Sequence, residues 1–239
     1  MLALFDLDNT LLEGDSDYAW GQFLVRHGLV DGPWYERENK RYYEQYRAGT
    51  LNITAFLQFS LAPLARLDPE LLQNLRAEFV RDCVRPMVRP LAPNLIAHHR
   101  DLGHLPVIIT ATNSFVTRPI ADLFGIDVLL ATEPALSGGR FTGAVDGIPC
   151  FRDGKVQRLE MWMEKQGLDL TASWFYTDSH NDLPLLRRVT HPVAVDPDPP
   201  LLLEARRQAW SVISLRPPLA HPQAEDAAGC DQHGNREPE

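Results

Sequence analysis

Leu2-Ala3-Leu4-Phe5-Asp6-Leu7-Asp8-Asn9-Thr10 is a short apolar run that opens into an acidic loop. Four consecutive apolar residues before an acid predict a buried strand. Two acids two apart, where a strand opens into a loop, can point into one crevice. One can attack phosphorus, and the other can protonate a leaving oxygen and then activate water. Alone, Asp-x-Asp after a strand also describes an ordinary turn, so its meaning depends on the polar residues elsewhere in the chain.

Outward from this stretch, Ser16 or Asp17 can cap a helix reaching about His27, closed by Gly28. Residues 31–89 read as all-helical. Tyr35, Tyr42 and Tyr46 recur at helical spacing before Gly49, and Ile53, Phe56, Leu57 and Leu61 mark a second helix. Asp68-Pro69 is a helix start, with the acid at the cap and proline in the first turn. The stripe Leu71, Leu72, Leu75, Phe79, Val80 and Cys83 comes next, stopped by Pro86 and Pro90.

From Pro93 the pattern alternates. A helix to about Leu102 precedes the strand Pro106–Ile109, which ends at Thr110. A helix over about Ser114–Phe124 precedes the strand Ile126–Leu130. Residues 134–150, with Gly138-Gly139, read as a hairpin or irregular excursion. A helix over about 154–166 leads to the strand Trp174–Tyr176, which ends at Thr177-Asp178. A short helix, the strand Pro192–Val195, a last helix over about Pro200–Ala209 and a short strand at Val212-Ile213 complete the pattern. Alternation of this kind predicts an α/β fold: a doubly wound parallel, Rossmann-like sheet with helices on both faces, and an α-helical cap inserted after the first strand. The expected division is a core of 1–14 and 90–214, a cap of 15–89, and a flexible C-terminal tail of 215–239 that buries little.

The 239-residue chain carries a net charge of −9. That disfavours nucleic acid and anionic membranes as partners, since no basic stripe is available to neutralise phosphates. A small phosphorylated metabolite remains compatible, because a metal ion, a lysine and helix N-termini can make a site locally positive. The cysteines Cys83, Cys150 and Cys230 form no paired motif, so neither a disulfide framework nor a zinc site is expected. No signal peptide and no membrane-length apolar run is visible, which leads to the expectation of a cytoplasmic protein. Monomer and homodimer are equally compatible with the sequence.

Three more polar clusters fall at or beside predicted strand ends, the edge where open α/β sheets bind ligands. Thr110, followed by a helix N-terminus near Ser114, can hold a phosphate oxygen. Lys155 opens a helix, where the helix dipole disfavours a cation, as expected if its charge serves a ligand. Asp178-Ser179-His180-Asn181-Asp182 offers two acids four apart with an asparagine between them, which suits a hard cation such as Mg²⁺.

Taken together and in this order, Asp6-Leu7-Asp8-Asn9-Thr10, Thr110, Lys155 and the Asp178…Asp182 pair resemble the haloacid dehalogenase superfamily over about residues 2–214. Within it the chain looks most like the phosphoserine phosphatase branch (subfamily IB), some of whose members act on histidinol phosphate. The resemblance implies Mg²⁺-dependent hydrolysis of a small phosphate monoester through an aspartyl-phosphate. Asp6 would be the nucleophile and a metal ligand. Asp8 would be the general acid/base, with its backbone carbonyl on the metal. Thr110 and Lys155 would bind the phosphoryl group. Asp178 would hold the metal, supported by Asp182 and Asn181, and Asp182 is itself a candidate ligand. Asp15, seven residues after Asp8, falls where this branch places an acid for a substrate ammonium group. Thr112, Asn113 and Asn181 are further candidates beside the substrate.

The chain departs from the branch at several points. Ala111 and Thr112 replace two glycines, Thr177 replaces a glycine, and His180 lies within the metal loop. Arg41 and Arg47 are candidates, by location alone, for an arginine that would bind a substrate carboxylate. A phosphomutase on the same scaffold and a non-catalytic phosphate-binding module are the alternatives. A dehalogenase would need neither Asp8 nor Asp178.

Overall fold

The structure, a computed structural model, describes residues 1–217. Most of the expected tail, 218–239, lies outside them. The central strand β1 (Leu2–Phe5) is buried along its whole length. It pairs in parallel with β2 (Leu105–Asn113) on one side, Phe5 facing Ile108, and with β5 (Trp174–Thr177) on the other, Phe5 facing Tyr176. The sheet has seven strands in the order β4-β3-β2-β1-β5-β6-β7. Its remaining members are β3 (Val128–Ser137), β4 (Arg140–Asp146), β6 (His191–Val195) and β7 (Ser211–Ile213), and β4 alone runs antiparallel to its neighbour.

The apolar run of β1 is explained by this position. Successive side chains point to opposite faces, and both faces are covered. Leu2 and Leu4 pack with Val107, Ile109 and Phe175 on one face. Ala3 and Phe5 pack with Ile108, Tyr176 and Val193 on the other. The second cluster continues without a break into the helices between β1 and β2, through Trp20, Leu61, Leu75 and Phe79. Trp20 sits edge-on to Phe79 at 5.2 Å and to Phe115 at 6.0 Å. The inserted helices therefore share one core with the sheet.

Those helices are α1 (Ser16–Arg26), α2 (Gly32–Arg47), α3 (Ile53–Arg66) and α4 (Pro69–Phe79). Asp68 caps α4 through the amides of Glu70 and Leu71, with Pro69 in the first turn. Beyond Phe79 the expected stripe does not continue as an α-helix. It widens into a π turn at Val80–Val84 and tightens into a 3₁₀ turn at Arg85–Met87. Tyr35, Tyr42 and Phe59 form a small separate core between α2 and α3.

One expectation is corrected and one is narrowed. The cap of α1 is Asp15, not Ser16 or Asp17: Asp15 is extended (φ −105°, ψ 117°) and its carboxylate accepts from the Tyr18 amide. Of the two readings of residues 134–150, the hairpin holds: β3 runs on through Ser137 and pairs with β4 across Gly138-Gly139, whose φ values of 57° and 78° suit a tight turn. The helices α5 (Ala92–Asp101), α6 (Ser114–Leu123), α7 (Asp153–Gln166), α8 (Leu183–Leu186) and α9 (Pro199–Arg207) link the strands. Among the described residues no helix is long and apolar enough to cross a membrane.

Candidate active site

The strand order reverses between β1 and β5, and the crevice at their carboxyl ends is the expected binding position of such a sheet. Asp6 is the first residue past β1. Its amide donates to the Tyr176 carbonyl at 2.9 Å, so its backbone is held as part of the sheet. Its side chain is buried. Oδ1 accepts from Lys155 Nζ at 2.8 Å and Oδ2 accepts from Thr10 Oγ1 at 3.0 Å. Burial pushes this carboxyl up to about 7, against the pull of the Lys155 charge, and Asp182 and Asp8 add to the rise.

Lys155 is 2 % exposed and donates a second bond, 2.7 Å, to Asp182 Oδ2. The carboxylates on both sides hold it above the usual lysine range, although burial alone would lower it. Its place depends on Gly154. A Cβ there would stand 2.0 Å from the Pro149 carbonyl oxygen, so only glycine lets α7 begin this close to the preceding loop. Asp182 Oδ2 also accepts from Thr177 Oγ1 at 2.7 Å. Thr177, where the related branch has glycine, thus supplies a bond to the lysine's second partner.

Thr10 is the hub that sequence reasoning left without a role. Its hydroxyl lies 3.0 Å from Asp6 Oδ2 and 3.2 Å from Asp178 Oδ1, and it accepts from the Asp178 amide at 3.1 Å. One hydroxyl proton cannot serve both carboxylates at once. Asp178 is held well above the usual carboxylate range, by burial first and then by Asp6, Asp182 and Asp198. Asp6 and Asp178 thus converge with one shared hydroxyl and no cation between them, an arrangement that suits a bound divalent ion. No larger group of three or more His, Cys, Asp or Glu side chains forms a cage among the described residues. Mg²⁺ typically needs only one or two carboxylates, completed by water and substrate oxygens.

Asp8 is held separately. Oδ1 accepts from the Ser16 amide at 2.7 Å, and Oδ2 accepts from Thr112 Oγ1 at 2.8 Å and Thr110 Oγ1 at 3.3 Å. Thr112, a departure from the branch, therefore orients Asp8. Asp6, Asp8, Thr110 and Thr112 line one pocket whose other wall is Asp17 and Tyr18 of α1, Tyr42, Tyr43 and Tyr46 of α2, and Phe56 of α3. Asp15 reaches the same pocket while capping α1, and it is held well above the usual range by burial and by Asp8.

Asn113, Asn181 and the two arginines fall elsewhere. Asn113 caps α6 by accepting from the Val116 amide at 3.2 Å. Asn181 accepts from Arg152 Nε at 3.0 Å and donates to the Tyr46 carbonyl at 3.0 Å, tying α2 to the loop after β5. Arg152 Nη2 reaches the Gly49 carbonyl at 2.5 Å. Gly49 has φ +69°, which favours glycine, and a Cβ there would stand 2.6 Å from His180 Nε2, so a larger residue would displace that ring. His180 bonds Asp198 at 2.6 Å. Arg41 is exposed, paired with Glu38 and stacked over Tyr42 at 4.3 Å. Neither Arg41 nor Arg47 lines the pocket.

Comparison with known proteins agrees with this geometry. The family model described as haloacid dehalogenase-like hydrolase matches residues 3–187. A histidinol-phosphatase from Neisseria meningitidis serogroup C (strain 8013) is 42% identical over 219 residues, covering 90% of this chain and 99% of that protein. A phosphoserine phosphatase from Mycobacterium tuberculosis (strain ATCC 25618 / H37Rv) is 30% identical over 225 residues, covering 90% of this chain and 70% of that protein. The crystal structure of a protein of unknown function from Bordetella pertussis Tohama I is 44% identical with a TM-score of 0.84, covering 90% of this chain and 98% of that one.

Proposed function

We propose, from the premise that this chain belongs to the haloacid dehalogenase-like hydrolase family and is a phosphatase, that it cleaves a small amino-bearing phosphate monoester through an aspartyl-phosphate on Asp6. The observation that carries this reading is the split between the two acids of the first motif. Asp6 is buried with Lys155 on one oxygen and Thr10 on the other, whereas Asp8 is held by hydroxyls and an amide in the same pocket.

That split suits two roles. An Asp6 carboxylate oxygen attacks phosphorus as the ester P–O bond breaks. Asp8 gives the departing alkoxide its proton, then takes a proton from the water that attacks phosphorus and releases Asp6. Lys155 holds positive charge beside the oxygen it shares with Asp6, where negative charge builds up on the phosphoryl group. Thr110 and Thr112 fix Asp8. Asp6 and Asp178, with the Asp8 backbone carbonyl, would hold Mg²⁺. Asp182 would support them from behind, since one of its oxygens already serves Lys155 and Thr177. The ion supplies charge neutralisation that lets an anionic carboxylate approach an anionic phosphate.

The histidinol-phosphatase likeness makes histidinol phosphate the first substrate to try and phosphoserine the second. Cys83 and Cys150 are free thiols, which suits a reducing, cytoplasmic setting. The test is phosphate release from L-histidinol phosphate, L-phosphoserine and phosphoglycolate, with Mg²⁺ and with EDTA. Mg²⁺-dependent release that Asp6→Asn abolishes is expected. Equal turnover by the variant, or full turnover in EDTA, contradicts the reading.

A further inference from the structure

Asp17 stands apart from the other acids around this pocket. It lies in the first turn of α1, lines the pocket, and is 7% exposed. Its carboxylate has no hydrogen-bond or ion-pair partner among the described residues. The neighbouring acids are all engaged: Asp6 by Lys155 and Thr10, Asp8 by Ser16 and Thr112, and Asp15 by the Tyr18 amide. A buried carboxyl without a partner is costly, whether ionised and lacking a donor or protonated and lacking an acceptor. Burial pushes Asp17 up to about 7, and the charge of Asp8 adds to the rise. Its oxygens are not enclosed by protein but open onto the pocket, where water or a ligand is the partner available and a cationic ligand group brings a charge that water lacks.

The pocket also indicates what that ligand carries. Tyr18, Tyr42, Tyr43 and Tyr46 line it, and aromatic faces attract cations. No Lys, Arg or His is among its lining residues. A carboxylate on the leaving group would therefore face Asp15 and Asp17 with no counter-charge among the lining residues, Arg47 standing behind Tyr43.

We infer that Asp17 is a specificity-determining residue that pairs with a positive charge on the alcohol being released, so the enzyme takes phosphate monoesters of cationic alcohols that carry no carboxylate. This rests on the phosphatase reading above. It separates two substrates which that reading leaves together, because phosphoserine carries a carboxylate and histidinol phosphate does not.

The experiment compares kcat/KM of wild type and Asp17→Asn on L-histidinol phosphate, L-phosphoserine and phenyl phosphate, which has no cation. Wild type is expected to prefer L-histidinol phosphate to both others. Asp17→Asn is expected to shrink the ratio of L-histidinol phosphate to phenyl phosphate about a hundredfold, mainly through KM, as loss of a buried charge pair does. A purely structural role would lower both substrates together and leave the ratio unchanged, which overturns the inference. Wild-type preference for L-phosphoserine, or for phenyl phosphate, overturns it while leaving the phosphatase intact. If wild type hydrolyses none of the three, the phosphatase reading fails. Calorimetric binding of L-histidinol then decides Asp17: binding lost in Asp17→Asn supports its role, and binding equal to wild type overturns it. Should Asp17→Asn fail to fold, Asp17→Ser is read in the same way, and the wild-type substrate order still decides.

Discussion

The pocket has two walls built on different principles. The wall at the sheet edge is polar and densely hydrogen-bonded: Asp6, Lys155, Asp182 and Thr177 form a continuous chain of hydrogen bonds, and Thr10 links it to Asp178. The wall made by α1, α2 and α3 is aromatic and holds an acid without a partner. A closely bonded polar network is preorganised and suits one fixed chemistry, whereas an aromatic wall with an open charge suits selection among leaving groups. Beyond the core they share, the two walls are tied by polar bonds: the Ser16 amide to Asp8, Asn181 to the Tyr46 carbonyl and Arg152 to the Gly49 carbonyl. If the walls divide chemistry and selection in this way, changes to the first should affect kcat on every substrate, and changes to the second should affect the ranking of substrates.

The largest effect is expected from Asp6→Asn, with kcat/KM falling at least about 10⁴-fold on all phosphate esters, measured by phosphate release. A loss confined to one substrate would break the division. Lys155→Met should lower kcat by about 10² to 10³. It should also destabilise the fold by about 3–5 kcal/mol, because Asp6 and Asp182 lose the ammonium between them. Urea unfolding with and without Mg²⁺ checks the second part.

The pH dependence of stability distinguishes the walls without any assay of turnover. Asp6 and Asp17 are each raised from an ordinary 3.8 to about 7, so the folded chain binds more protons than the unfolded chain across that interval. In EDTA, stability is therefore present in full below about pH 4 and is lost as pH rises through about 7. Saturating Mg²⁺ should flatten the part due to Asp6 and Asp178, and Asp17→Asn should remove a further part, leaving that of Asp15. A metal-free melting temperature that rises across this interval would contradict both assignments. The smallest effect is that of Asp15→Ala, about 1 kcal/mol from loss of the α1 cap, together with a rise in KM for amino-bearing esters.

The two walls also differed in how far the sequence revealed them. Asp6, Asp8, Lys155, Asp178 and Asp182 each sit just past a strand or at a helix start, so strand prediction alone brings them to one edge. The insert was legible as helices from tyrosine and leucine spacing. Which acid of Asp15-Ser16-Asp17 faces the pocket unpartnered was not legible, because it depends on which residue adopts the extended cap conformation. The role of Thr10 was hidden too, since it needs Asp178, 168 residues away, to give it meaning. The link from Arg152 to Gly49 spans 103 residues and obeys no local pattern. The β3–β4 pairing was half visible, as its turn glycines were plain while its register depends on the neighbouring strand.

The central claim is that phosphorus passes through Asp6 before it meets water. Hydrolysis, in ¹⁷O-labelled water, of a phosphorothioate monoester made chiral at phosphorus by ¹⁸O tests this directly. Two successive in-line displacements, on Asp6 and then by water, predict retention of configuration in the released inorganic thiophosphate. Inversion would show a single direct attack by water and would contradict the account.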